Sequence, residues 1–473
     1  MLELRQSIGI SFMDLEVNVF KHLQAMFIKV MQNALESIDD RVFELRDKSR
    51  YRVKDSRKAT VTTLFGDVTF RRRYYIDRET ARYKCLLDET LEFGGGSRIS
   101  PALSVVAAIQ AVTGPSYRAA RDNLERFYGH RVLSHEGIRQ IILEVGKMAE
   151  ADVKARCEKQ DGIPKKKVPV LFLESDGWWV PMQQGKRSNR EVKMLLSHEG
   201  WDKRSPGSNE YLLKEKTYYQ DLDNGSDEFW DMSSRYLYSK YDIGEDTVVV
   251  LNGDRAPWIK KGLEYFPNAM YQVDRFHVKR DLKGLLKHDR KALRTGFNAF
   301  DKSDIEGLTK ALKLAMKSAP DVELKIKIAE FLGAVERMPE CFRDYRVRLL
   351  EKGYEVPGLR GLGSAESNVD KFSDRTRKRG QSWGKEGLKA MLYSMIENFE
   401  GKLEVYAEKI TQSRQCFSKE ELEVKVTEVA EKVTSDAPRV KHGAVPIKNT
   451  GTTRSGGLSQ LFRQLDYADL LIE

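Results

Sequence analysis

The stretch Val168-Pro-Val-Leu-Phe-Leu-Glu-Ser-Asp-Gly-Trp-Trp-Val180 decides how the rest of the chain is read. Its apolar run is rich in Val and Phe and too short to span a membrane as a helix, which predicts a buried strand. The run gives way to Asp176 and Gly177. A carboxylate placed where a central strand leaves the core is held rigidly and still meets water, which suits a metal ligand. Two other readings compete. Glu174 shares the strand face of Asp176, because side chains two apart point the same way, and Asp-Gly is also an ordinary turn pair.

Two further acids are candidate partners. Val248-Val-Val-Leu-Asn-Gly-Asp254 predicts a second apolar strand ending in Gly-Asp, and Gly361-Leu-Gly-Ser-Ala-Glu-Ser-Asn368 puts Glu366 at the start of a helical pattern. Two strand-end aspartates and a helix glutamate make a three-carboxylate set for a hard divalent cation, Mg²⁺ or Mn²⁺, which takes carboxylate oxygens together with water and substrate phosphate. Two such ions about 3.5–4 Å apart serve the attacking and leaving oxygens of a phosphoryl displacement. Asp254 could instead cap the following helix, with Asp274 as its competitor. Glu366 could be a first-turn acid complementing the helix dipole, with Asp370 as its competitor, one helical turn on and on the same face.

The chain has 473 residues, enough for about three domains. Its formal net charge of +10 favours polyanionic partners, nucleic acid first, although a generally basic surface gives the same number. Cys85, Cys157, Cys341 and Cys416 lack paired spacing and read as reduced cytosolic thiols. The N-terminus shows no signal-peptide pattern, and no apolar run approaches the ~20 residues of a membrane helix, so a cytoplasmic, membrane-free protein is expected.

Along the chain, Phe12, Leu15, Val19, Leu23, Phe27 and Val30 recur at helical steps and predict a helix over about 9–49. Ala59–Phe65 and Val68–Phe70 flank Gly66-Asp67 and predict a hairpin with its turn at that pair. Arg71, Arg72 and Arg73, followed by Tyr74 and Tyr75, could grip phosphates and stack on bases, or form a solvated strand end. Gly94–Ser97 reads as a flexible junction. Helices expected from Pro101, after Gly114 and after Ser134 make a helix-turn-helix pattern, with Arg139 and Gln140 near the front of the second helix of the pair.

After the basic Lys165–Lys167, the 168–180 run, Glu191–Ser197 and Tyr211–Tyr219 predict three meander strands. A helix over 226–241, the strand ending at Asp254, a helix over 258–266 and the strand Ala269–Val273 follow. Meander strands and then alternating helix and strand are the order of a ribonuclease-H-like core. Residues 275–320 carry twelve Lys or Arg against five Asp or Glu and read as helix, which makes a basic helical insertion or merely solvated amphipathic helices. Arg375, Arg377, Lys378 and Arg379, with Trp383 close behind, sit where they could balance phosphodiester charge. Helices are expected over 386–410 and 418–434, then a Gly- and Thr-rich tail with a last short helix near 458–471.

The expected class is α/β: a ribonuclease-H-like catalytic core with an all-helical insertion, preceded by an α-rich N-terminal region with a β-hairpin. Expected boundaries are 1–95 for the helix and hairpin, 96–162 for the helix-turn-helix region, 163–274 for the first part of the core, 275–358 for the insertion, 359–435 for the last part of the core with its glutamate helix and 436–473 for the tail.

In order and spacing, Ser175-Asp-Gly177, Asn252-Gly-Asp254, Val273-Asp-Arg-Phe-His277 and Gly363-Ser-Ala-Glu-Ser367, with the basic run and Trp383, resemble the DDE transposases of bacterial insertion sequences. The ISLre-type group, long known as an uncharacterised protein family and related to the Mutator class, is the nearest resemblance. Thr63–Arg73 and Ile99–Leu103 resemble that group as well. The resemblance implies DNA strand cleavage and joining, Asp176, Asp254 and Glu366 as a metal-binding triad for two Mg²⁺ or Mn²⁺ ions, and Asp274 and His277 as an accessory Asp-x-x-His pair. It further implies double-stranded DNA, element ends and target, as the partner, bound by a dimer or larger assembly. Where the related motif reads Gly-Asp-Gly, this chain reads Gly-Asp-Arg255. Two alternatives stay open: an inactive or domesticated DNA-binding relative, and a nuclease of the same core that cuts without joining.

Overall fold

The computed structural model describes residues 11–93, 98–158, 165–183, 189–222 and 225–410. The chain divides into two compact units, one from residues 1–111, 117–141 and 404–473, the other from 112–116 and 142–403. The expected Gly94–Ser97 junction, the 418–434 helix and the tail lie outside the described residues.

In the first unit a long helix α1 (Phe12–Leu45) opens with a capping box between Ser11 and Asp14. Strands β1 (Tyr51–Thr63) and β2 (Gly66–Asp77) pair antiparallel from Tyr51↔Asp77 to Thr63↔Gly66, and the short β3 (Tyr83–Lys84) adds to β2. The hairpin turn is Leu64-Phe65, not Gly66-Asp67. Gly66, at φ +127°, already belongs to β2, so the turn precedes the glycine that the sequence suggested as its centre. Ile38, Val61, Val68, Phe70 and Leu87 form the core under this hairpin. A short helix α2 (Leu86–Thr90) follows, then α3 (Pro101–Thr113), α4 (Tyr117–Tyr128) and α5 (His135–Glu158), of which residues 112–113 of α3 and 142–158 of α5 are counted with the second unit. Ser100 and Ser134 accept the amides of Leu103 and Gly137, which are the N-cap bonds their positions predict.

The second unit is built on a five-stranded sheet of order β10-β9-β4-β5-β8. Its strands are β4 (Val170–Pro181), β5 (Asn189–His198), β8 (Thr217–Asp221), β9 (Val248–Gly253) and β10 (Ala269–Val273). β4, β5 and β8 run antiparallel as a meander, and β4–β9 and β9–β10 pair parallel. The helix that permits the parallel return, α6 (Ser226–Lys240), lies between β8 and β9 in the chain. The expected single strand over 211–219 is two. β7 (Tyr211–Leu213) leaves the sheet to pair with β6 (Trp201–Lys203), and Glu215, at φ +51°, breaks the run before β8.

Both faces of the sheet are covered. Leu171, Leu173, Val249 and Leu251 pack on one side with Phe229, Trp230 and the insertion's Leu282, Phe300, Leu312 and Ile328. Val170, Phe172, Val248, Val250 and Met270 pack on the other with Tyr345 and Leu349. After the short α7 (Pro257–Lys260), every described element between 275 and 358 is helical: α8 (Arg275–Leu286), α9 (Arg290–Asp301), α10 (Ile305–Lys317), α11 (Val322–Arg337), α12 (Pro339–Phe342) and α13 (Tyr345–Glu351). Asp274, Asp289, Asp304, Asp321 and Asp344 cap five of these by accepting first-turn amides.

The chain then returns to the sheet as α14 (Ser364–Thr376) and α15 (Lys385–Phe399). Gly401, at φ +71°, ends the helical run, and α16 (Leu403–Lys409) starts anew where one helix to 410 was expected. Among the described residues no helix is long and apolar enough to cross a membrane, and Cys85, Cys157 and Cys341 are free thiols.

Candidate functional site

Strand pairing brings the acidic motifs together. Ser175 is level with Gly253, and Gly253 with Val273. The next residues along three neighbouring strands are therefore Asp176, Asp254 and Asp274. Alternation puts all three on the face of Val170, Phe172, Val248, Val250 and Met270. Helix α14 covers the same face: Trp178 Nε1 donates to Thr376 Oγ1 at 3.1 Å, and Tyr218 donates to Asn368 Oδ1 at 2.5 Å. Glu366 is exposed on the first turn of that helix.

Asp176 is partly buried and accepts only the amide of its neighbour Gly177, at 2.8 Å, among its hydrogen bonds. Burial is the largest force pushing its pKa up, to about 6. The Gly177 bond opposes it, the charge of Asp254 adds to it, His277 opposes it and the charge of Glu366 adds again. Asp254 and Glu366 thus both lie near enough to be felt by Asp176. Asp254 Oδ1 accepts the amide of Ala256 at 2.8 Å; this is a local turn bond and not a helix cap, since the cap of α7 is Ala256. Tyr271 donates to the Asp254 carbonyl and fixes the strand exit.

The competing acids are differently employed. Glu174 is fully buried and accepts from His198, Asn252 and the amides of Gly363, Ser364 and Ala365. Asp274 caps α8: its Oδ1 accepts His277 N at 3.0 Å and faces His277 Nδ1 at 3.1 Å, and its Oδ2 accepts Asn252 Nδ2 at 3.0 Å. Burial pushes the Asp274 pKa up, but the bonds from His277 and Asn252 outweigh it and hold the carboxyl below its ordinary range. The same bond with Asp274 raises the His277 pKa against the effect of burial. Asp370 is exposed and paired with Lys378.

The donor set on this face is oxygen-rich and suits a hard cation. Among the described residues, no group of three or more His, Cys, Asp or Glu side chains is arranged so that it could hold a metal ion as it stands. Asp176 and Asp254 are fixed by the sheet, while Glu366 stands exposed above them on a helix.

The basic candidates divide by environment. Arg71 and Arg377 are exposed. Arg72 pairs with Asp88, and Arg73 with Asp39 and Asp40 at 2.6 and 2.8 Å. Arg139 and Gln140 both bond Glu136, at 2.8 Å each. Lys378 and Arg379 pair with Asp370 and Asp374. Arg375 is 4% exposed and bonds Gln381 at 2.7 Å. Trp383 is 6% exposed, donates to Thr376 O at 2.9 Å and bridges to the end of β4 through Pro181 and Gln183. Arg375 and Trp383, expected at a DNA surface, are therefore packing groups in this conformation, because a buried ring offers no stacking face. Glu174, Asn252 and His198 form a polar layer beneath the site. The sequence marked Glu174 only as a rival carboxylate and gave no role to the other two.

Comparison with known proteins adds a family. The family described as "Uncharacterised protein family (UPF0236)" matches residues 5–413. The chain belongs to that family. A UPF0236 protein of Caldanaerobacter subterraneus subsp. tengcongensis is 26% identical over 385 residues, covering 81% of this chain and 77% of the relative. A UPF0236 protein of Streptococcus gallolyticus, named for the region 3′ of vanSb, is 24% identical over 455 residues, covering 94% and 96%. Among solved structures, the Drosophila P element transposase strand transfer complex matches at 10% identity and a TM-score of 0.24, over 68% of this chain and 84% of that one. At that score the likeness carries no argument about fold or activity.

Proposed function

We propose that this UPF0236 chain is a DNA transposase of the DDE type, with Asp176, Asp254 and Glu366 as its metal-binding carboxylates and Asp274 and His277 as accessory groups. The observation that carries the reading is the aligned exit of β4 and β9, which sets Asp176 and Asp254 side by side under a helix whose Glu366 perturbs Asp176 electrostatically. The sheet order, three antiparallel strands followed by two parallel ones, supports a ribonuclease-H-like core. The helices between Asp274 and Glu366 support an insertion before the last acid. The net charge of +10 supports a DNA partner.

The chain's own residues define the chemistry. The rigid strand ends hold two carboxylates in fixed relation, and burial, with the charges of Asp254 and Glu366, pushes the Asp176 pKa up to about 6. Bound Mg²⁺ or Mn²⁺, two ions in this reading, would supply activation of the attacking oxygen and stabilisation of the leaving one. Glu366, exposed on the first turn of α14, would be the third carboxylate of the set. The His277–Asp274 bond raises the His277 pKa and so favours the protonated imidazole near Asp176. Exposed Arg71 and exposed Arg377 would each be free to meet DNA backbone, and a dimer or larger assembly would act on the DNA ends.

The test is incubation of the purified full-length chain and Mg²⁺ or Mn²⁺ with duplexes copied from the DNA bordering its coding sequence. Cleavage leaving a 3′-hydroxyl, followed by joined products, is expected. Asp176→Asn, Asp254→Asn and Glu366→Gln should each lose about a thousandfold in rate, the scale of several kcal/mol in the barrier. Cleavage without joining would select a nuclease, and binding without cleavage a DNA-binding relative.

A further inference from the structure

Helix α14 begins in an unusual way. Its N-cap is Gly363, at φ +129°, and no side chain at the cap bonds the first turn. The amides are instead taken by a residue from the sheet. Glu174 Oε2 accepts Gly363 N at 2.7 Å, Ser364 N at 2.8 Å and Ala365 N at 3.4 Å. Three convergent amides at a helix N-terminus are a natural seat for a carboxylate. The same oxygen accepts Asn252 Nδ2 at 3.3 Å, and Oε1 faces His198 Nε2 at 3.3 Å. His198 Nδ1 meanwhile lies 3.2 Å from both the amide and the carbonyl oxygen of Gly200, and a proton on Nε2 lets the ring donate to Glu174 while Nδ1 accepts the amide. Glu174 and His198 are both fully buried.

We infer that Glu174 is a positioning residue that holds the Glu366 helix at a fixed height above Asp176. The inference rests on the proposed triad. Asp176 is two residues beyond Glu174 on the same face of β4, and Glu366 is one residue beyond the last of the three clasped amides. One side chain therefore ties the strand that carries one acid to the helix turn that carries another. The tie fixes the backbone at both ends, next to Asp176 on the strand and next to Glu366 on the helix. Gly363 is part of the device. Its left-handed backbone turns the amides toward Glu174, and a Cβ there would stand 3.6 Å from Asp274 Oδ2. Asn252 links the clasp sideways, since its Nδ2 bonds both Glu174 and Asp274.

The test is Mn²⁺ binding to the full-length chain, measured by titration calorimetry on wild type, Glu174→Gln, Glu366→Ala and the double variant. Glu174→Gln keeps the side-chain shape but removes the charge that gathers the helix amides. It should weaken Mn²⁺ binding about 10–100-fold, as loss of a partner behind a metal ligand does. In the Glu366→Ala background it should cost nothing further, because its effect passes through Glu366; a merely structural role would cost the same in both backgrounds. Gly363→Ala, which leaves the buried charge in place, should reproduce the loss should Glu174→Gln fail to fold. Wild-type affinity in the folded variants, or additive losses in the double variant, would overturn the inference. If the wild type itself binds no Mn²⁺, the proposed function fails, and the clasp is judged by hydrogen exchange. The Ser364 and Ala365 amides should then exchange at least tenfold faster in Glu174→Gln, and unchanged rates would overturn it.

Discussion

Asp176→Asn gives the sharpest prediction about stability. The Asp176 pKa is pushed up to about 6 from 3.8, by burial first and then by the charges of Asp254 and Glu366. A raised carboxyl means that the folded chain holds a proton the unfolded chain has released, so stability falls as pH rises from about 4 through 6. The metal-free protein therefore carries a penalty of about 3 kcal/mol at pH 7.5 and about 1.5 kcal/mol at pH 5, from 1.36 kcal/mol per pKa unit. Asparagine cannot ionise and keeps the shape, so Asp176→Asn should stabilise the metal-free chain by those amounts. Denaturant unfolding in chelator at the two pH values reads the difference directly. The same variant should lose the stabilisation that millimolar Mn²⁺ gives the wild type. An Asp176→Asn protein that is destabilised at pH 7.5, or changed equally at both pH values, would refute the reasoning, because it would mean that the carboxylate is not under electrostatic stress.

Other consequences follow from the same geometry. His277 is raised by its bond to Asp274, so its contribution is fully present below about pH 6.5 and is lost as pH rises through the folded-state value; His277→Ala should cost more stability at pH 6 than at pH 8.5, as unfolding at both values would show. Gly146→Ala would drive a methyl group into the backbone of Ala390 on α15, and should lower stability by about 1–3 kcal/mol or more, read as a drop in Tm. Arg377→Ala should weaken duplex DNA binding about equally for every sequence and reduce the salt slope by about one. Arg375→Ala should lower Tm, because that buried guanidinium bonds Gln381.

Where pattern and chemistry are local, the fold was legible. The Val168–Val180 run, the strand to Asp254 and the helix starts at Ser100 and Ser134 all carry their signals within a few residues. The hairpin turn was misplaced because Gly66 suggests a turn centre, whereas the left-handed conformation it supplies is used at the first position of β2. The 211–219 strand and the 386–410 helix were each broken by one positive-φ residue, Glu215 and Gly401, and of the two only the glycine announces itself. At the site, side-by-side acids follow from parallel strand register, which alternating helix and strand suggests. Burial does not follow. Trp383 and Arg375 read as DNA contacts because a basic run with an aromatic looks alike on a surface and in an interface. The Glu174 clasp joins residues 189 to 191 positions apart, and no sequence window contains both halves.

The most direct measurement is anomalous diffraction from crystals of the wild-type chain soaked in Mn²⁺. The account predicts anomalous density between Asp176, Asp254 and Glu366, absent in Asp176→Asn crystals. Density elsewhere with this face bare, or none at any Mn²⁺ concentration the crystals tolerate, would contradict it.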